Sequence, residues 1–77
     1  MTTHRLDTDA LHLAIYARMH REKLSAREVA QQTGISASTL TRIKHGQRPD
    51  ADGLVTLLVW LERGIEDFTV LNLGGSR

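Results

Sequence analysis

Residues 26–45, AREVAQQTGISASTLTRIKH, hold the pattern that decides the fold. Val29 and Ala30 lie on one face of a short helix, Gly34 and Ile35 make a turn, and Leu40 and Ile43, three apart, anchor a second helix. This spacing predicts two short helices crossing around a tight turn, a helix-turn-helix. Ala30 is small because the second helix crosses close above it, where a larger side chain would hold the two apart.

The signals on either side extend the pattern. Ser25 is followed three residues later by Glu28, so hydroxyl and carboxylate can each satisfy a free backbone amide as a capping box. Gly34 stops that helix, since a positive φ costs glycine little. Ser36 starts the next helix, which runs to about Lys44 and stops at Gly46, ahead of the turn Gln47-Arg48-Pro49. Upstream, Asp7 or Thr8 caps a first helix with Leu11, Ala14, Ile15 and Met19 at helical spacing. It fades at Arg21-Glu22-Lys23, and Leu24 begins the return to the core. Downstream, Asp50 or Asp52 caps a fourth helix carrying the stripe Leu54, Leu57, Leu58 and Leu61, which Gly64 closes.

Ile65 to Phe68 reads as one further turn of helix, and residues 74–77 as a frayed end. With a single proline, Pro49, and no alternating run of β-branched residues, no strand is expected. The expected fold is all-α, a compact bundle of four to five short helices forming one domain over residues 1–73, with a flexible tail at 74–77.

At 77 residues the chain has room for one core, burying roughly 60% of the surface its unfolded form exposes. Without cysteine it has neither a disulfide framework nor a thiolate metal site, which points to the reducing cytoplasm. No apolar run approaches the roughly 20 residues of a membrane span, and MTTHRLDTDAL is no signal sequence. The expectation is a cytoplasmic protein with no membrane partner.

The net charge of +1 conceals a division. Residues 18–48 carry seven basic side chains against two acidic ones, and the rest of the chain three against seven. A basic middle between acidic ends suits a phosphate-contacting surface, and ordinary solvated helix faces are the bland alternative. At about 100° per residue, Leu40 and Ile43 fall on one side of the helix begun by Ser36, with Ser38, Thr41, Arg42 and His45 on the other. Short hydroxyls and one arginine can approach base edges without the bulk that holds a helix out of the major groove. Arg42 matches the two acceptors of guanine, and Ala37 can approach a thymine methyl. Arg27, Lys44 and Arg48 are expected at phosphates, which position a protein without carrying sequence information. Ser25, Ser36 and His45 join them, Ser25 through the free amides of the helix it begins.

Other chemistries find no support. His4, His12, His20 and His45 never form the i, i+4 pair of a helical zinc site. The aspartates at 7, 9, 50 and 52 stand where helix caps are expected. There is no nucleophile elbow, phosphate loop or dinucleotide motif, so no catalytic residue, cofactor or metal is expected.

From Leu24 to Leu61 the chain resembles the helix-turn-helix domain of the phage repressor and Cro type, the Xre-like family of bacterial regulators. Ala30, Gly34, Ile35, Leu40 and Ile43 carry the resemblance, and RIKHGQRPD resembles the family's turn before its fourth helix. The resemblance implies base contacts at Ala37, Ser38, Thr41 and Arg42, and a transcriptional regulator, most simply a repressor, bound to double-stranded DNA at the bacterial nucleoid. It also implies symmetric binding by two copies, with half-sites about 34 Å apart. Two positions depart from the family's pattern. Ala26 and Ala37 stand where many members have glutamine, so readout leans on Arg42, Ser38 and DNA shape.

A second reading uses another surface. The fourth helix is more apolar than one stripe requires, with Val55 and Val59 to one side of the leucines and Trp60 to the other. Either Phe68, Val70, Leu71 and Leu73 fold back over them, or another molecule does. Val59, Trp60, Phe68 and Leu71 are therefore candidates for a homodimer contact, or for a protein antagonist or toxin partner of an antitoxin-like module.

Overall fold

Each helix starts where the sequence supplies an oxygen acceptor. The computed structural model describes residues 3–72, with helices α1 (Thr8–Glu22), α2 (Ala26–Thr33), α3 (Ala37–Lys44) and α4 (Ala51–Leu61). Asp7 Oδ1 accepts the Ala10 N–H at 3.0 Å, Ser36 Oγ the Thr39 N–H at 3.1 Å, and Asp50 Oδ1 the Gly53 N–H at 2.8 Å. The acids chosen from the two expected pairs are therefore Asp7 and Asp50. Each supplies one of the partners that the first-turn amides lack within the helix.

The capping box at α2 is complete: Ser25 Oγ accepts the Glu28 N–H at 3.1 Å, and the Ser25 N–H donates to Glu28 Oε1 at 3.0 Å. The backbone hydrogen bond from Ser25, then that of its side chain, hold the Glu28 carboxyl below the usual glutamate range. A carboxyl depressed in the folded state stabilises the fold above its unfolded pKa, and that stability is lost as pH falls through the folded value. Glu28→Gln is expected to lower Tm at about pH 7, and by a smaller margin at about pH 3. Thermal melts followed by circular dichroism at the two pH values check this.

Helix ends agree with expectation at Gly34 and Gly46, whose φ values are 76° and 91°. A Cβ on either glycine would meet nothing within 4 Å, so backbone conformation and not space selects glycine there. The end of α4 differs. Gly64 was the expected stop, yet the helix ends at Leu61, and Glu62 takes the left-handed conformation at φ 57°. Gly64 is extended and opens a 3₁₀ turn, Ile65–Phe68. Stopping early swings this turn back across the bundle, where Phe68 is 1% exposed.

Leu11, Ile15, Ile43, Leu57 and Phe68 form the core, flanked by partly buried Leu6, Ala14, Met19, Leu40, Leu54, Leu58 and Leu61. The α4 stripe thus packs as expected. The absence of strands does not hold. Strand β1 (Thr3–Leu6) pairs antiparallel with β2 (Thr69–Asn72), Thr3 opposite Asn72 and Leu6 opposite Thr69. Four-residue segments at opposite ends of the chain are too short to show alternation, and they find their backbone partners only when the bundle brings them together. Leu73 and the expected tail at 74–77 lie outside the described residues. Among the described residues no helix is long and apolar enough to cross a membrane.

Candidate nucleic-acid interface

The turn between α2 and α3 is closed by Thr33, whose Oγ1 donates to the Val29 carbonyl at 2.8 Å and accepts the Ile35 N–H at 3.1 Å. With Val29 and Ile43 buried and Ile35 and Leu40 partly so, α3 lies with its apolar edge on the bundle. Its other edge is free: Ala37, Ser38, Thr41, Arg42, Lys44 and His45 are all exposed. The structure thus brings the expected base-facing residues onto one accessible face. Thr41 Oγ1 donates to the Ala37 carbonyl at 3.0 Å, so its proton is committed and the hydroxyl is left as an acceptor.

Charge sorts along the same division. Ion pairs among the described residues join Arg18 and Arg21 to Glu22, and Arg63 to Asp67. Arg27, Arg42, Lys44 and Arg48 take part in none of them and are exposed. Arg42 and Arg48 line a common hollow of about 230 Å³ with Gln47 and Asp50 at the end of α3, the Asp50 carboxylate being engaged as the cap of α4. Free cations on a helix-turn-helix face are available to phosphates without first breaking an internal pair.

A family model described as the Cro/C1-type HTH DNA-binding domain matches residues 15–72. The chain belongs to that family. The match runs from the middle of α1 through β2, well beyond the span Leu24 to Leu61 that carried the resemblance. No curated protein and no solved structure matches the chain.

Two expected phosphate contacts of this Cro/C1-type domain are already engaged locally. The Ser25 N–H, one of the amides offered to an anion, donates to Glu28, whose carboxylate sits at the same helix end. Ser36 Oγ accepts from the Thr39 amide and lies 3.0 Å from Thr39 Oγ1. Helix α1 shows what sequence reasoning missed. The Lys44 ammonium stands 5.9 Å from the Tyr16 ring centroid, and the His12 and Tyr16 rings pack at 4.7 Å. Neither residue was expected beside α3, because the approach of α1 to α3 is a tertiary fact that no local spacing encodes.

The candidate partner surface is also redrawn. Phe68 was assigned to it, but it is a core residue, the tail folding back to fill a small domain that lacks other apolar volume. Trp60 is half-buried: its Nε1 donates to Gln32 Oε1 at 2.9 Å, and the Arg18 guanidinium lies 4.3 Å from the ring centroid. It ties α4 to α2 and α1. Val59 and Leu71 are exposed, as are Val55 and Ile65.

Proposed function

We propose that this domain binds double-stranded DNA sequence-specifically as a transcriptional regulator, acting as a repressor by occupying its operator. In this reading α3 enters the major groove of nucleoid DNA in the cytoplasm. Arg42, Ser38, Thr41 and Ala37 face base edges, and Arg27, Lys44, His45 and Arg48 face phosphates, while the hydroxyls of Ser25 and Ser36 stay with their own helix starts. The observation that carries the reading is the coincidence on one helix face of short exposed side chains with cations free of internal ion pairs. Two copies on one DNA face complete the arrangement. Val55 and Val59, exposed one turn apart on α4, support a second contact surface for another copy or a partner protein.

Selection of duplexes from a randomised library at near-physiological salt tests the reading. The expected result is a two-fold symmetric motif with half-sites about one helical turn apart. Phosphates neutralised by the three permanent cations Arg27, Lys44 and Arg48 would give a log–log salt slope of roughly −2.7 for each copy bound. Bound DNA without enrichment overturns sequence specificity, and no binding at all moves the function to the α4 surface.

A further inference from the structure

A groove of about 190 Å³ runs between α1 and α3 beside the N-terminus of α2. Its floor is apolar, from Ile15, Met19 and Leu40, and its walls carry His12 and Tyr16 from α1 and Lys44 and His45 from α3. Ala37 and Thr41, two of the residues assigned to base edges, line the same groove. In the docking proposed above, DNA seated on α3 covers this opening.

The groups facing one another here are all cationic, protonatable or neutral. From α1 the titratable neighbour of His12 is Tyr16, from α3 they are Lys44 and His45, and α2 contributes Ala26. No carboxylate lines the groove. Asp9, three residues before His12 on α1, is exposed, and among the described residues no ion pair joins the two. In the empty groove the Lys44 charge has no anion opposite it among the lining residues. A phosphate in the groove supplies one, and an opposite charge within about 4–6 Å favours a protonated imidazole.

We infer that the groove between α1 and α3 takes a phosphodiester of the bound DNA, with His12 and His45 protonated against it and the tilted Tyr16 ring packed on His12, so that DNA binding takes up protons. The inference rests on the DNA-binding reading and adds α1 to the contact surface. The sign is fixed by linkage: a complex that holds more protons than its parts tightens as pH falls through the imidazole range.

The experiment measures affinity of the full chain for its selected duplex between about pH 8 and pH 6 at constant ionic strength, for the parent and for His12→Gln, His45→Gln, the double variant and His4→Gln. Two linked imidazoles are expected to give about tenfold tighter binding at the lower pH, each single variant about threefold, and the double variant none. His4 lies on β1, opposite Leu71, and its variant keeps the full response. Circular dichroism at both pH values reports whether each variant is folded. A parent that binds tightly with a flat pH profile overturns this inference alone, as does a response that survives in the folded double variant. A chain that binds no duplex at either pH overturns both this inference and the DNA-binding reading.

Discussion

Phe68→Ala is expected to remove a large share of the stability of this domain. The ring is 1% exposed and packs in one cluster with Leu11, Ile15, Ile43 and Leu57. Truncating a buried phenylalanine costs about 3–5 kcal/mol, from lost transfer energy and from the cavity left behind. Net stability at about 0.05–0.15 kcal/mol per residue comes to roughly 4–12 kcal/mol for a chain of this length. With about 4–8 °C of Tm lost per kcal/mol in a domain of this size, the variant should melt at least about 12 °C lower, by thermal circular dichroism. A residue on a free partner surface would change stability by about 0.5 kcal/mol or less. The same melt therefore separates the core role of Phe68 from the surface role that its place in the sequence suggested.

The loss should reach beyond the hole in the core. The Phe68 carbonyl accepts the Asp7 N–H, and Asp7 caps α1, so the 3₁₀ turn and the start of the first helix are held together. β1 and β2 flank that junction, Leu6 paired with Thr69. Loosening Phe68 is expected to free both the ribbon and the first turn of α1.

What was legible in the sequence is what local chemistry decides. Ser25 and Glu28 name the start of α2 because a capping box spans four consecutive residues, and Gly34 and Gly46 name stops because positive φ is a property of one residue. Leu40 and Ile43 face the core as their spacing requires. Glu62 was not legible as a stop, since a left-handed glutamate is chosen by the packing beyond it and Gly64 offered a stronger local signal two residues later. The ribbon joins residues at opposite ends of the chain, and the Gln32–Trp60 hydrogen bond joins two helices, so neither leaves a periodic trace. The exposed edge of α3 was legible for the same reason as the caps, being one face of one helix. His12 and Tyr16 reach it only through the packing of α1 on α3.

Arg42→Ala is expected to weaken binding to the selected site by about 1–3 kcal/mol, roughly 5- to 150-fold, and to relax preference at one base position in each half-site. Arg42 stands on the exposed edge of α3, and its side chain is absent from the ion pairs among the described residues. Removing it therefore exposes no buried partner, and Tm should change by an amount equivalent to about 0.5 kcal/mol or less. The contrast with Lys44 makes the assignment testable. A lysine at a phosphate contributes charge alone, so Lys44→Ala should weaken all sequences about equally and make the log–log salt slope shallower by about one. Arg42→Lys sharpens the distinction further: it keeps the charge but loses the planar fork that pairs with guanine O6 and N7. If Arg42 reads a base, the lysine variant resembles Arg42→Ala in sequence preference while holding close to the parent salt slope. Should Arg42→Lys instead retain full preference, or Arg42→Ala weaken every duplex alike, Arg42 belongs with the phosphate contacts and base readout passes to Ser38, Thr41 and the shape of the DNA.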